Sequence, residues 1–73
     1  MNRRPTTARQ MRRLIAQAGL NQVQAAHAIG ISPRAMRRYV SLDPAVFRSP
    51  PVPVVLALRA IVRAGVEANE VQK

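Results

Sequence analysis

Residues 22–41, QVQAAHAIGISPRAMRRYVS, decide the fold. Two short helical patterns lie on either side of Gly30, Ile31, Ser32 and Pro33. In the first, Ala25, Ala26 and Ile29 recur at helical spacing and mark an inward face, while Asn21 with Gln24 supplies the reciprocal cap pattern at its start. Gly30 ends that helix, because glycine takes the left-handed backbone without steric penalty. Ser32 is a favoured cap and Pro33 a favoured first helical residue, so a second helix is predicted from Pro33 to about Ser41. Its faces separate cleanly: Met36, Tyr39 and Val40 share one side, whereas Arg34, Arg37, Arg38 and Ser41 fall at i, i+3, i+4 and i+7 on the other.

Upstream, Thr7 with Gln10 repeats the cap pattern, and Met11, Leu14, Ile15 and Ala18 form an apolar stripe that leaves Arg9, Arg12 and Arg13 pointing elsewhere. Gly19 is the expected stop. Residues 1–6, with Arg3, Arg4 and Pro5, carry no apolar pattern and read as a flexible basic arm. Downstream, Asp43 and Pro44 can start one helical turn that seats Phe47, but Pro50, Pro51 and Pro53 exclude a continuous helix or a central strand. A last helix is expected to begin with Pro53 in its first turn and to end near Gly65, leaving residues 66–73 as a tail.

These elements predict an all-α protein, a small bundle of four to five helices occupying residues 7–65 as a single domain. With 48% hydrophobic but only 3% aromatic residues and no cysteine, the chain has little bulk for a core and no disulfide to reinforce it. A domain of this size buries only about 60% of its unfolded surface. The last helix is apolar almost all round and must be covered on two sides, so Val54, Val55, Leu58, Ile61 and Val62 are expected to form the interface of a homodimer.

Charge narrows the choice of partner. The chain carries a formal net charge of +9. Eight arginines (Arg3, Arg4, Arg9, Arg12, Arg13, Arg34, Arg37 and Arg38) and no acid fall in residues 1–41, and Asp43, Glu67 and Glu70 come later. Such asymmetry points to a polyanion. The preference for arginine over lysine favours phosphate and base edges, which the planar guanidinium grips with two parallel hydrogen bonds.

Two short helices joined by a glycine-containing turn have the spacing of a helix-turn-helix, whose second helix enters the ~12 Å major groove of DNA while the first crosses the backbone. Residues 22–41 resemble this motif in phage repressors of the lambda-repressor and Cro class, with Ala26 at the small mid-helix position, Gly30 in the turn, and Ala25, Ile29, Ile31, Met36 and Tyr39 at the apolar positions. A-G-L-N-Q-x-x-A-A at residues 18–26, G-I-S-x-R-x-M-R at residues 30–37 and the proline-led apolar last helix are similar to the anti-CRISPR-associated (Aca) regulators. Where some members of that family carry arginines this chain has Val23 and Gln24, which leaves the charge to Arg37 and Arg38. The resemblance implies a transcriptional repressor that autoregulates an anti-CRISPR operon.

Within that frame Arg34 is the first candidate to read a base. A cation in the first turn of a helix opposes the helix dipole at a cost of about 0.3–1 kcal/mol, so folding alone does not choose it. Arg38, one turn further along, is the second candidate, and Arg37 and Ser41 can reach base or phosphate. Gln22, Gln24, Ser32, Arg9, Arg12, Arg13 and Tyr39 are candidates for phosphate contacts.

Other chemistries have little to work with. His27 is the only histidine and no cysteine can join it, so no metal site is expected. The three carboxylates are scattered and no nucleophile stands beside a base, so neither catalysis, a cofactor nor a small-molecule substrate is expected. No apolar run reaches the ~20 residues of a membrane span and no signal-peptide pattern follows the basic N-terminus, so the chain is expected in the cytosol, which the resemblance implies is that of a bacterial host, on DNA. The expected partners are a palindromic DNA operator and a second copy. The rival readings are a DNA-binding antitoxin and a basic protein that binds RNA, an anionic membrane surface or other polyanions without sequence preference.

Overall fold

A computed structural model describes the backbone of residues 6–71 and the side chains of residues 6–66. The expected arginine arm at Arg3 and Arg4 lies outside the described residues. Four helices follow in order: α1 (Ala8–Gln17), α2 (Gln22–Ile29), α3 (Pro33–Val40) and α4 (Val52–Val71). The described residues form a small all-helical domain without strands.

The first three helices start where their caps dictate. The Thr7 hydroxyl accepts from the Gln10 amide at 3.1 Å, and the Gln10 carboxamide accepts from the Thr7 amide at 2.8 Å. Asn21 and Gln24 repeat this reciprocal pair at 2.8 and 3.0 Å. At α3 the Ser32 hydroxyl accepts from the Ala35 amide at 3.1 Å, and Pro33 follows directly as the first helical residue.

The ends of α1 and α2 share one device. Gly19 and Gly30 sit at φ +74° and +76°. Each lets the chain turn so that two amides bond back into the helix: Gly19 to Ala16 and Leu20 to Ile15 in α1, Gly30 to His27 and Ile31 to Ala26 in α2. The residue after each glycine, Leu20 or Ile31, then packs against the core.

That core is built from small aliphatic and thioether side chains. Met11 and Ile15 of α1, Ala25 and Ala26 of α2, Met36 and Val40 of α3, and Val54, Val55 and Leu58 of α4 form one cluster. Tyr39, Leu14 and Ile29 pack against its edge, as their helical spacing requires. Helix α3 packs on α1 and α2, and α4 packs on the same two helices. The mid-helix alanines are completely buried, so α2 can approach its neighbours closely.

Two expectations about α4 need correction. The helix does not stop near Gly65 but continues to Val71. Gly65 lacks the positive φ of the two stop glycines, and a glycine inside a helix costs only about 1 kcal/mol relative to alanine, which weakens a helix without ending it. Val54, Val55 and Leu58, expected at a dimer interface, lie instead in the chain's own core. The helix turns one face to α1 and α2 and leaves the other outward, where Val52 and Leu56 retain 69% and 56% of their surface and the exposed Arg59 and Arg63 continue the same side. Ile61 and Val62 follow Leu58 one turn further along the inward side and are half-buried.

The connection before α4 holds the expected turn. The Asp43 carboxylate accepts from the Ala45 amide at 3.0 Å, and the amides of Val46 and Phe47 bond to the Asp43 carbonyl, which leaves Phe47 half-buried. No described helix is long and apolar enough to cross a membrane.

Candidate nucleic-acid interface

With its apolar side held by α1 and α2, α3 turns its other side outward. Arg34, Arg37 and Arg38 are all exposed, and Ser41 sits half-buried just past the helix end. Arg34 occupies the first turn, against the positive end of the helix dipole, whereas Arg37 and Arg38 occupy the last turn, where a cation complements the carbonyl ends. The latter two therefore have a reason in folding. Arg34 has none.

The polar groups around α3 are only partly consumed by the fold. Ser32 and Ser41 use their oxygens as acceptors, toward the amides of Ala35 and Asp43, so each hydroxyl proton remains available to donate. Gln24 spends its carboxamide oxygen on the Asn21 amide and keeps its NH2 group, and Gln22 is exposed at the first position of α2. Arg9 and Arg13 are exposed on α1. Tyr39, expected near the DNA backbone, is half-buried with its ring against the core.

Arg12, expected to contact phosphate, spends one of its five donors within the fold. Its Nε donates to the Val40 carbonyl, 28 residues away in sequence, at 2.6 Å. The chain leaves α3 in extended conformation at Ser41, so the helix supplies no further partner for the carbonyls of its last turn. The guanidinium fills one of these vacancies. A second is met from the loop, where the Arg48 amide donates to the Arg38 carbonyl at 3.2 Å.

Sequence reasoning missed this role for Arg48, and it noted Val23 only for the charge it lacks, whereas its side chain is 53% exposed in the first turn of α2. A neighbouring apolar residue at the start of a surface helix was the available signal. Two hollows flank the arginine faces. One, of about 280 Å³, lies between Arg12 and the start of α2 at Asn21 and Gln22. The other, about 660 Å³ and mostly apolar, runs between Ala8 and Arg9 of α1 and Leu42, Pro44 and Phe47 of the connection.

No family model and no curated protein matches the chain. One short helix carries three exposed guanidinium groups, Arg34, Arg37 and Arg38, and α1 and the start of α2 add exposed donors at Arg9, Arg13 and Gln22. This is suited to gripping phosphates along a groove while the central side chains reach inward.

Proposed function

We propose that the chain is a sequence-specific DNA-binding repressor, acting as a homodimer on an inverted-repeat operator in the manner of the Aca regulators that its motifs resemble. The observation that carries this reading is Arg34: exposed, placed where the helix dipole disfavours it, and aligned with Arg38 along the outward face of α3. Arginine at the start of a recognition helix can bind guanine O6 and N7 together. Arg37 and Ser41 extend the base-reading row, and Arg9, Arg13, Gln22, Gln24 and Ser32 hold the phosphates. Two copies would present their α3 helices to half-sites about 34 Å apart, one turn of the duplex.

The outward row of Val52 and Leu56 on α4 supports association with a second copy, in place of the buried Val54, Val55 and Leu58. Repression follows from occupying promoter DNA and excluding polymerase, and the resemblance points to the promoter of the chain's own operon, beside an anti-CRISPR gene. The protein would act in the cytoplasm of a bacterial host, without cofactor or catalysis. Footprinting of the DNA upstream of its own gene at physiological salt tests the reading. Protection of an inverted repeat supports it; diffuse binding equally titrated by unrelated DNA or RNA overturns it.

The same outward row on α4 also suits an antitoxin that covers a toxin. A toxin gene beside this one and a stoichiometric complex of the two products would favour that alternative.

A further inference from the structure

Arg12 is the one described arginine whose guanidinium is used to finish a helix other than its own. Its Nε reaches from α1 to the last carbonyl of α3, and Val40, which carries that carbonyl, has a fully buried side chain. A hydrogen bond from a charged donor is roughly twice as strong as a neutral one, and here it also places positive charge at the carbonyl end of a helix dipole. The bond therefore fixes one end of α3 against α1. At that same end the Arg48 amide ties the Arg38 carbonyl to the connection. Arg34 stands six residues, about 9 Å, from Val40, so a tilt of roughly 10° at the fixed end moves it by about 1.5 Å, enough to misplace a hydrogen-bonding group.

We propose that Arg12 is a positioning residue for base readout: through its Nε bond to the Val40 carbonyl it sets the angle at which α3 presents Arg34 and Arg38. This rests on the DNA-binding reading above and assigns Arg12 a part different from a phosphate contact. The two parts separate by chemistry. A phosphate contact needs only charge, which lysine supplies, whereas the bond to Val40 needs a donor at the Nε position in a planar fork, which lysine lacks.

The test compares wild type, Arg12→Lys and Arg12→Ala on two probes: a 30-base-pair duplex enriched by the wild-type protein from a random pool, and an unrelated duplex of equal length. Binding is measured across a salt series at a temperature where thermal melts show all three folded. The expected result is that both variants lose about tenfold in the ratio of affinities for the enriched and unrelated duplexes, with the salt dependence of Arg12→Lys unchanged. Amide exchange at the end of α3 should also quicken in both variants without DNA present.

If Arg12→Lys matches wild type on both duplexes while Arg12→Ala weakens both equally with a shallower salt slope, Arg12 is a phosphate contact and the inference falls. If both variants keep the wild-type ratio it falls as well. If wild type enriches no sequence at all, the DNA-binding reading itself fails, an outcome distinct from either of these.

Discussion

The amide of Ile31 donates to the carbonyl of Ala26 at 2.9 Å, which closes α2 and directs the Ile31 side chain toward the core in one step. Between them stands Gly30 at φ +76°, where a Cβ would meet no atom within 4 Å. The demand for glycine here is conformational and owes nothing to space.

Gly30→Ala should therefore destabilise the protein by about 1–2 kcal/mol, the cost of holding an L-residue in the left-handed region. Gly30→Asn should cost less, because asparagine tolerates that region. Gly65→Ala should act with the opposite sign, adding about 0.5 kcal/mol, since Gly65 is helical and its added Cβ also meets nothing. Urea denaturation of the three variants checks the ordering, and a Gly30→Ala protein as stable as wild type would contradict the argument.

The two glycines show which parts of the fold were legible. Thr7 with Gln10, Asn21 with Gln24, Ser32 with Pro33, and the stops at Gly19 and Gly30 act through neighbours three to five residues away, so their chemistry is written in local sequence. The inward faces of α1 to α3 were legible for the same reason, as polar residues mark the opposite sides. Over the first two turns of α4, before Arg59, that contrast is missing. Val52, Val54, Val55, Leu56 and Leu58 are chemically alike, and which of them faces inward is settled by α1 and α2 rather than by spacing. The Arg12 bond was illegible because its partner is a backbone carbonyl on another helix.

Arg34 carries the central functional prediction. Arg34→Ala should weaken binding to the operator by about 1–3 kcal/mol while changing affinity for unrelated duplex much less. Its stability should stay the same or rise slightly, as removing a cation from the first turn of α3 relieves an unfavourable dipole contact. Fluorescence anisotropy with both duplexes, alongside a thermal melt, measures the two effects. Equal losses on both duplexes would assign Arg34 to phosphate.

Charge predicts the salt response. If a dimer neutralises about ten phosphates, the logarithm of its affinity for DNA should fall against the logarithm of salt concentration with a slope near −9. Titrations between low and physiological salt give this slope directly. A value near zero would leave the exposed arginines of α1 and α3 without a role in binding.

The division of α4 into an inner and an outer face separates folding from association. Leu58→Ala removes a fully buried side chain and should cost about 2–5 kcal/mol of stability. Leu56→Glu places a charge on the outward face and should leave the helical content intact while shifting sedimentation toward the monomer. A Leu56→Glu protein that remains dimeric would move the interface away from this row.

The interior built around Met11 and Met36 also bears on how such a chain can diverge. Thioether and aliphatic side chains exchange at modest cost, below about 1.5 kcal/mol for a leucine and methionine swap, so the inside can drift through many compositions. The punctuation cannot drift so freely. Distant kin of this protein would be recognised by a pair of left-handed glycines and three hydrogen-bonded helix starts at fixed separations, long after the residues packed between them had ceased to look alike.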